Sequence, residues 1–380
     1  TVYINSNSSE PMSDQPIKLG KSIKGRGAVT NHPSRFLAAA VEPQSDDWGD
    51  GSDILEYWQT RNTKVKIQPD LTKRLITSNR SPDIPFDQSI NPYKGCEHGC
   101  VYCFARPTHA YLDLSPGLDF ETHIFYKTHV RENLLRELGK PSYVVSPISM
   151  GTNTDPYQPI EREHQITRTI LELALQTQHP VSIVTKGVLI LRDLDLLTEL
   201  AKHNLVHVSV SLTTLSKSLK QQLEPRTASP SARLRMIREL SNAGVPTGAM
   251  FAPMIPYVND HELESLVSAA HEAGAGWGAY ILLRLPREVR PLFTQWLQDH
   301  YPERQRKVMN VLDAHHEKPE GRTQWSVRMR GTGVFADLLS QRFAIAARKV
   351  GFDGDRTPLR TDLFRPPTPD AAAGQMGLFD

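Results

Sequence analysis

Apolar residues along this chain follow two periods that alternate. Tyr143-Val144-Val145-Ser146 reads as a strand, and apolar residues then recur at helical spacing over 162–178 (Ile166, Ile170, Leu171, Leu173, Ala174). The pattern continues with a strand over 181–185, a helix over 191–203 and a strand over 206–212. A helix over 229–243 stops at Gly244, a strand covers 245–253, a helix 260–273 and a last strand 277–283. Strands separated by helices of this length predict parallel pairing with right-handed crossovers, hence an α/β barrel or open sheet. Such folds build active sites where the strands end, and here those segments are polar and rich in small residues. After Pro286 the pattern turns helical, with Trp296, Leu297, Val308, Val311 and Leu312, and a further helix is predicted over 334–350.

The flanks lack this rhythm. Residues 1–60 hold Ser-, Asn- and Pro-rich text, then Lys24-Gly25-Arg26-Gly27, then Asp46, Asp47, Asp50 and Asp53. They are expected to form a flexible extension. Residues 61–89 are a lead-in in which Lys64-Val65-Lys66-Ile67 alternates like a short strand. The core is expected over 90–290, a helical region over 291–360 and a flexible tail over 361–380.

Composition narrows the class. The 380 residues are 39% hydrophobic and 23% charged, with a formal charge of +2. That is a soluble globular balance and excludes a wholesale basic nucleic-acid coat. No run approaches the roughly 18–20 apolar residues of a membrane helix, and residues 1–15 lack the apolar run of a secretory signal. The chain has three cysteines, Cys96, Cys100 and Cys103. A disulfide-stabilised secreted protein spreads an even number across its length, so a reducing, cytoplasmic setting is expected.

The cysteines stand in Gly95-Cys96-Glu97-His98-Gly99-Cys100-Val101-Tyr102-Cys103-Phe104, a C-x3-C-x2-C spacing. Three thiolates on one tight loop can hold three irons of a 4Fe-4S cluster. With no fourth cysteine, the fourth iron is left open to a ligand. Two other readings compete: a Cys3His zinc site using His98, and three unligated thiols. The spacing, with an aromatic residue before the last cysteine, resembles the signature of the radical S-adenosylmethionine (SAM) superfamily. The resemblance covers roughly 90–290 and implies a partial (β/α)6 barrel. It also implies that SAM binds the open iron and that cluster reduction cleaves it to a radical that abstracts hydrogen from substrate.

Within that superfamily the strand ends are similar to spore photoproduct lyases and their uncharacterised bacterial relatives. The resemblance places SAM near Tyr102 and near Thr154-Asp155 in Ser149-Met150-Gly151-Thr152-Asn153-Thr154-Asp155. Lys186 in Val184-Thr185-Lys186 would meet the SAM carboxylate, Ser209 the ribose and Ala252 of Ala252-Pro253 the adenine. Glu224-Pro225-Arg226-Thr227 resembles a Glu-Pro-Gly-Thr of that family. Two departures stand out. The lyases carry an additional cysteine that returns hydrogen to the product, and Thr152 stands at about that position. Phe104 also replaces a tyrosine after the last cluster cysteine.

Gln375-Met376-Gly377-Leu378-Phe379 resembles the Gln-x-x-Leu-Phe motif that binds the bacterial DNA sliding clamp, with Gln375, Leu378 and Phe379 as the contacts. Basic residues cluster at Lys18, Lys21, Lys24 and Arg26, at Lys64, Lys66, Lys73, Arg74 and Arg80, at Arg284, Arg287 and Arg290, and at Arg328 and Arg330. They are candidates for phosphate contact. The expected function is hydrogen abstraction from nucleic acid, in DNA lesion repair coupled to the clamp. An electron donor such as flavodoxin or ferredoxin is implied, and no membrane. The alternatives are an RNA-modifying radical SAM enzyme and a non-catalytic iron–sulfur scaffold.

Overall fold

The computed structural model describes residues 25–28, 30, 31, 34–36, 64–79, 81, 84, 86–315, 331–352 and 356–367. Its ten strands are β1 (Lys66–Asp70), β2 (Thr77–Ser78), β3 (Gln88–Ser89), β4 (Tyr93–Lys94), β5 (His123–Lys127), β6 (Ile148–Met150), β7 (Val181–Thr185), β8 (Val206–Ser211), β9 (Thr247–Met254) and β10 (Trp277–Leu282). The larger sheet has the order β10-β9-β8-β7-β6-β3-β2. All its neighbours pair parallel except β2 with β3.

Helices supply the crossovers. Counting those of nine residues or more, they are α1 (Val130–Leu138), α2 (Ile166–Gln176), α3 (Leu194–Lys202), α4 (Pro230–Asn242), α5 (Leu263–Glu272), α6 (Val289–His300), α7 (Pro302–His315) and α8 (Val334–Val350). Each of α2 to α5 links one parallel strand to the next, as the alternating periods predict. Ser229 starts α4 by accepting from the Ala232 amide, with Pro230 at the first helical position.

The two faces of the large sheet differ. Val181 and Ile183 on β7 line up with Val206 and Val208 on β8, all at most 1% exposed. This apolar face packs into the main core with Ile170, Leu197, Ile237 and Leu266 from the crossover helices. By strand alternation the opposite face carries Ser149, Ser182, Ser209, Ser211 and Gly248. Small polar side chains leave room there and supply hydroxyls. The smaller sheet, β1-β5-β4, holds β4 antiparallel to β5 and delivers the chain into the cysteine loop.

The helical region packs beneath that loop. Phe293, Trp296, Val308 and Leu312 cluster with Cys100, Val101 and Tyr102. Helix α8 packs on α5, where Arg342 bridges to Glu264 at 2.7 Å.

Several expectations are corrected. The strand placed at 143–146 forms instead at Ile148–Met150. Pro147 has no N–H for a ladder, and pairing begins where the Ile148 amide meets Pro180 O at 3.0 Å. The helix expected over 162–178 breaks at Gln165, whose φ is 49°, into Glu161–His164 and α2. Within the extension expected to be flexible, Arg26 and Ala28 are buried. Within the expected tail, Phe364 packs against Tyr143 and His179. The clamp-like residues Gln375, Leu378 and Phe379 lie outside the described residues, as do Lys18, Lys21, Lys24, Arg80, Arg328 and Arg330. Among the described residues no helix is long and apolar enough to cross a membrane.

Candidate functional site

The cysteine loop joins β4 to a 3-10 helix, Arg106–Leu112. Its backbone is tied to three surrounding segments. The Cys96 amide donates to Phe120 O (2.9 Å), Glu97 N to Gln158 Oε1 (3.0 Å), Val101 N to Leu223 O (3.1 Å) and Arg226 N to His98 O (3.3 Å). Arg106, wholly buried, donates to Cys100 O at 2.9 Å and to Gly117 O at 2.8 Å and pairs with buried Glu121. These bonds fix where the thiols stand before any ligand arrives.

A strap from the N-terminal segment closes the other side. Gly27 and Ala28 donate their amides to the two carboxylate oxygens of Glu121 at 3.1 and 2.8 Å, and Arg26 donates to Glu121 O at 3.0 Å. The contact needs glycine at both strands of chain. A Cβ on Gly27 would lie 1.7 Å from Gly99 O, and Gly99 itself has φ +68°.

Cys96 and Cys100 are buried and Cys103 is partly so. Burial pushes the Cys96 thiol well above its ordinary value, helped by the negative charge of Asp155. Burial, then Glu224, pushes Cys100 up to about 12, and burial also raises Cys103. These groups ionise readily only when a cation joins them. Among the described residues no three His, Cys, Asp or Glu donors converge on one ion. His98 instead places Nδ1 3.4 Å from Asp155 Oδ2.

The strand ends bring most of the predicted residues together. Asp155 accepts from Thr185 Oγ1 at 2.6 Å and from the Lys186 amide at 2.7 Å. Burial opposes its charge, but His98 and these donors hold it down at about 2. Thr154 is buried, with Oγ1 3.3 Å from Tyr93 O. Lys186 donates to Ser211 Oγ at 2.8 Å and comes within 6.0 Å of the Tyr102 ring centroid. Ala252 O faces Ser211 Oγ at 3.5 Å and Thr213 Oγ1 at 3.0 Å. Ser209 is buried one alternation earlier on the same face of β8.

Glu224 was absent from the residues expected to act, yet it is the centre of this constellation. It accepts from the Tyr102 hydroxyl and from Thr213 Oγ1 (2.7 Å), pairs with buried Arg233 and sits 4.0 Å from Lys186 Nζ. Burial alone would raise its carboxyl; Arg233 and then Lys186 hold it down to about 2. Its sequence signal is the Glu224-Pro225-Arg226-Thr227 segment. Ser211, the partner of Lys186, had no signal beyond its place on the strand's polar face. At the departure position, Thr152 donates to Asn91 Oδ1 at 3.2 Å.

Residues 90–270 match the family model described as Radical SAM superfamily. An uncharacterised protein of Mycobacterium tuberculosis (strain H37Rv) is 40% identical over 222 residues, covering 58% of this chain and 65% of the relative. The chain therefore spans just under two thirds of that relative's length. An uncharacterised protein of Methanocaldococcus jannaschii is 27% identical over 250 residues, 66% of this chain and 89% of the relative. Among solved structures, spore photoproduct lyase complexed with dinucleoside spore photoproduct superposes with a TM-score of 0.57 at 16% identity, covering 82% of this chain and 85% of the other. That likeness shows the fold.

Proposed function

We propose that this chain, whose residues 90–270 match the family model described as Radical SAM superfamily, is a radical SAM enzyme that takes a hydrogen atom from a nucleic acid. The observation that carries the reading is one arrangement. Three thiols on a single loop, two buried and one partly so, stand beside the cation of Lys186 and the hydroxyl of Ser211, where parallel strands end.

The family implies a 4Fe-4S cluster and SAM, and the residues present fit both. Each thiolate of such a cluster binds its own iron, so Cys96, Cys100 and Cys103 need not meet at one point. Three thiols on one loop are the donor set that such a cluster takes. A cluster held by these three thiols, together with SAM, would supply hydrogen-abstracting radical chemistry, given an electron donor such as flavodoxin or ferredoxin.

The protein's part is to hold and orient. Lys186 is the cation for the SAM carboxylate, and Ser211 aims it. Thr154 and Asp155 shape the turn after β6, with Asp155 committed to Thr185 and the Lys186 amide. Ser209 and the Ala252 carbonyl line the nucleoside side on the polar sheet face. Tyr102 spans from the cysteine loop to Glu224 and couples the loop to the strand ends.

For the substrate, support comes from the fold shared with a lyase whose structure holds a dinucleoside photoproduct. A damaged DNA base is therefore the first candidate, and a base within a duplex would have to be turned out to reach a site beside the cysteine loop. The hydroxyl of Thr152 is a poor hydrogen-atom donor compared with a thiol, so the hydrogen-return path of a thiol-assisted lyase is absent or rebuilt here. The Gln375, Leu378 and Phe379 motif would recruit the enzyme to a sliding clamp.

The test is anaerobic reconstitution with reductant and SAM, reading 5′-deoxyadenosine with irradiated DNA, intact DNA, RNA or none. Stimulation by irradiated DNA supports repair, and stimulation by RNA alone moves the substrate to RNA. No stimulation by either removes the nucleic-acid reading. Deleting residues 375–380 should abolish clamp pull-down while SAM cleavage persists; unchanged pull-down removes the clamp role.

A further inference from the structure

A second constellation lies beside the cysteine loop and takes no part in the arrangement above. Phe36 and Tyr111 are 52% and 67% exposed, although both are large and aromatic. Their ring centroids are 5.1 Å apart with planes tilted 35°. The Arg35 guanidinium lies 4.6 Å from the Phe36 centroid and 5.1 Å from that of Tyr111. Arg287, from another part of the chain, and Arg35 pull the Tyr111 phenol below its ordinary value.

The cluster is assembled rather than incidental. Ser34 Oγ donates to Ala110 O at 3.0 Å and so fastens residues 34–36 to the Arg106–Leu112 helix. Arg35 also bonds Glu288 Oε1 at 2.5 Å, which ties the segment to the loop between β10 and α6. Three distant parts of the chain thus meet around two rings. Arg106, at the start of the helix carrying Tyr111, bonds Cys100 O, so the rings are anchored to the cysteine loop by one rigid turn.

Exposed aromatic rings flanked by guanidinium groups have a specific chemical use. Every nucleobase offers a π face that stacks on such rings, and arginine meets the phosphates between bases. Counting Arg35 and Arg287 against Glu288, the cluster carries one net positive charge. An apolar protein partner would not need that charge, and a free phosphate would not need the rings.

We propose that Phe36, Tyr111, Arg35 and Arg287 form a stacking platform for unpaired nucleobases, which holds single-stranded or locally opened nucleic acid beside the cysteine loop. The inference rests on the nucleic-acid reading above and names the surface that would grip the strand next to the reacting base.

The test uses the full chain and a fluorescein-labelled 12-nucleotide single-stranded DNA, with binding read by anisotropy. Stacking of one base gives an expected loss of about 5- to 150-fold in affinity for Tyr111→Ala. Phe36→Ala should fall in the same range, and Tyr111→Trp should bind as tightly as the parent. Arg287→Gln should reduce the slope of log affinity against log salt by about one. Melting curves of the exposed-site variants should overlay the parent; should Tyr111→Ala melt early, the Trp and Gln variants still decide. Binding by the parent that is unchanged in Tyr111→Ala and Phe36→Ala would overturn the platform and leave the nucleic-acid reading standing. Absence of binding by the parent to single-stranded and nicked duplex DNA and to RNA would overturn both.

Discussion

Tyr102, set between the second and third cysteines, donates its phenolic hydrogen to Glu224, which has no exposed surface. Glu224 in turn pairs with Arg233, itself 1% exposed. The cysteine loop is thus coupled to α4 by a buried charge pair whose remaining oxygen positions are filled by Thr213 and Thr227. A charge removed from water holds its place only while all partners remain.

Removing that carboxylate should therefore cost more than an ordinary polar substitution. Glu224→Gln leaves the Arg233 guanidinium buried without its counter-charge, and a loss of about 3–5 kcal/mol is expected in urea unfolding. Tyr102→Phe removes one donor to a charged acceptor and should cost about 1.5–3 kcal/mol. Equal, small losses for the two variants would show that Glu224 does not organise the loop.

The same pair sets an acid limit. Glu224 and Asp155 are both held down to about 2, below ordinary values of 4.5 and 3.8. A carboxyl depressed in the folded state contributes stability that is complete above its unfolded value and is lost as pH falls toward its folded value. Stability should therefore be flat with respect to these groups above about pH 5 and decline between about pH 4.5 and 2. In Glu224→Gln the decline should be shallower over that window. An unchanged acid limb in equilibrium unfolding would contradict the assignment.

Much of the large sheet was legible because its two periods are unmixed: β7, β8 and β10 fall within a residue of their expected bounds. The Tyr143–Ser146 run misled because Tyr143 and Val145 mimic alternation. In the fold Val144 is 76% exposed, and the phenol of Tyr143 turns to Gln88 and His179. The short strands β2 to β4 are two residues each, too brief for any period. At the site, the cysteine cluster stood out by its local spacing, and Lys186 entered only through a family resemblance. Glu224, Arg233 and Ser211 were not assigned roles because their function arises from contacts across 9 to 122 positions, which no local pattern encodes.

The strap gives a prediction about the cluster loop itself. Gly27→Val places a side chain where Gly99 O now lies. Overpacking of this kind costs typically about 1–3 kcal/mol and should lift residues 25–28 from Glu121. After reconstitution and gel filtration in air, iron per chain should fall more quickly than in the parent, while a Gly25→Asn control, where a Cβ meets nothing within 4 Å and asparagine tolerates the φ of +77°, should follow the parent more closely. Equal iron loss for Gly27→Val and the parent would show that the strap does not guard the loop.

Lys186 and Ser211 have separable roles, one as the charge and the other as its aim. Lys186→Met removes the only charge proposed for the SAM carboxylate, and SAM affinity should drop by about 10- to 150-fold, the scale of a charge-assisted hydrogen bond. Ser211→Ala leaves the charge but loses its aim and should give a smaller drop. Calorimetric titration of SAM into cluster-loaded protein checks the order; a larger effect from Ser211 than from Lys186 would reverse the assignment.

The central claim is radical SAM chemistry at Cys96, Cys100 and Cys103. Its most direct test is 5′-deoxyadenosine formed from SAM by anaerobically reconstituted protein under strong reductant, compared among the parent and the Cys96→Ala, Cys100→Ala and Cys103→Ala variants. The account predicts 5′-deoxyadenosine from the parent and none above background from any of the three. Product from a variant lacking one of these thiols, or none from a parent shown by its iron and sulfide content to carry the cluster, would contradict it.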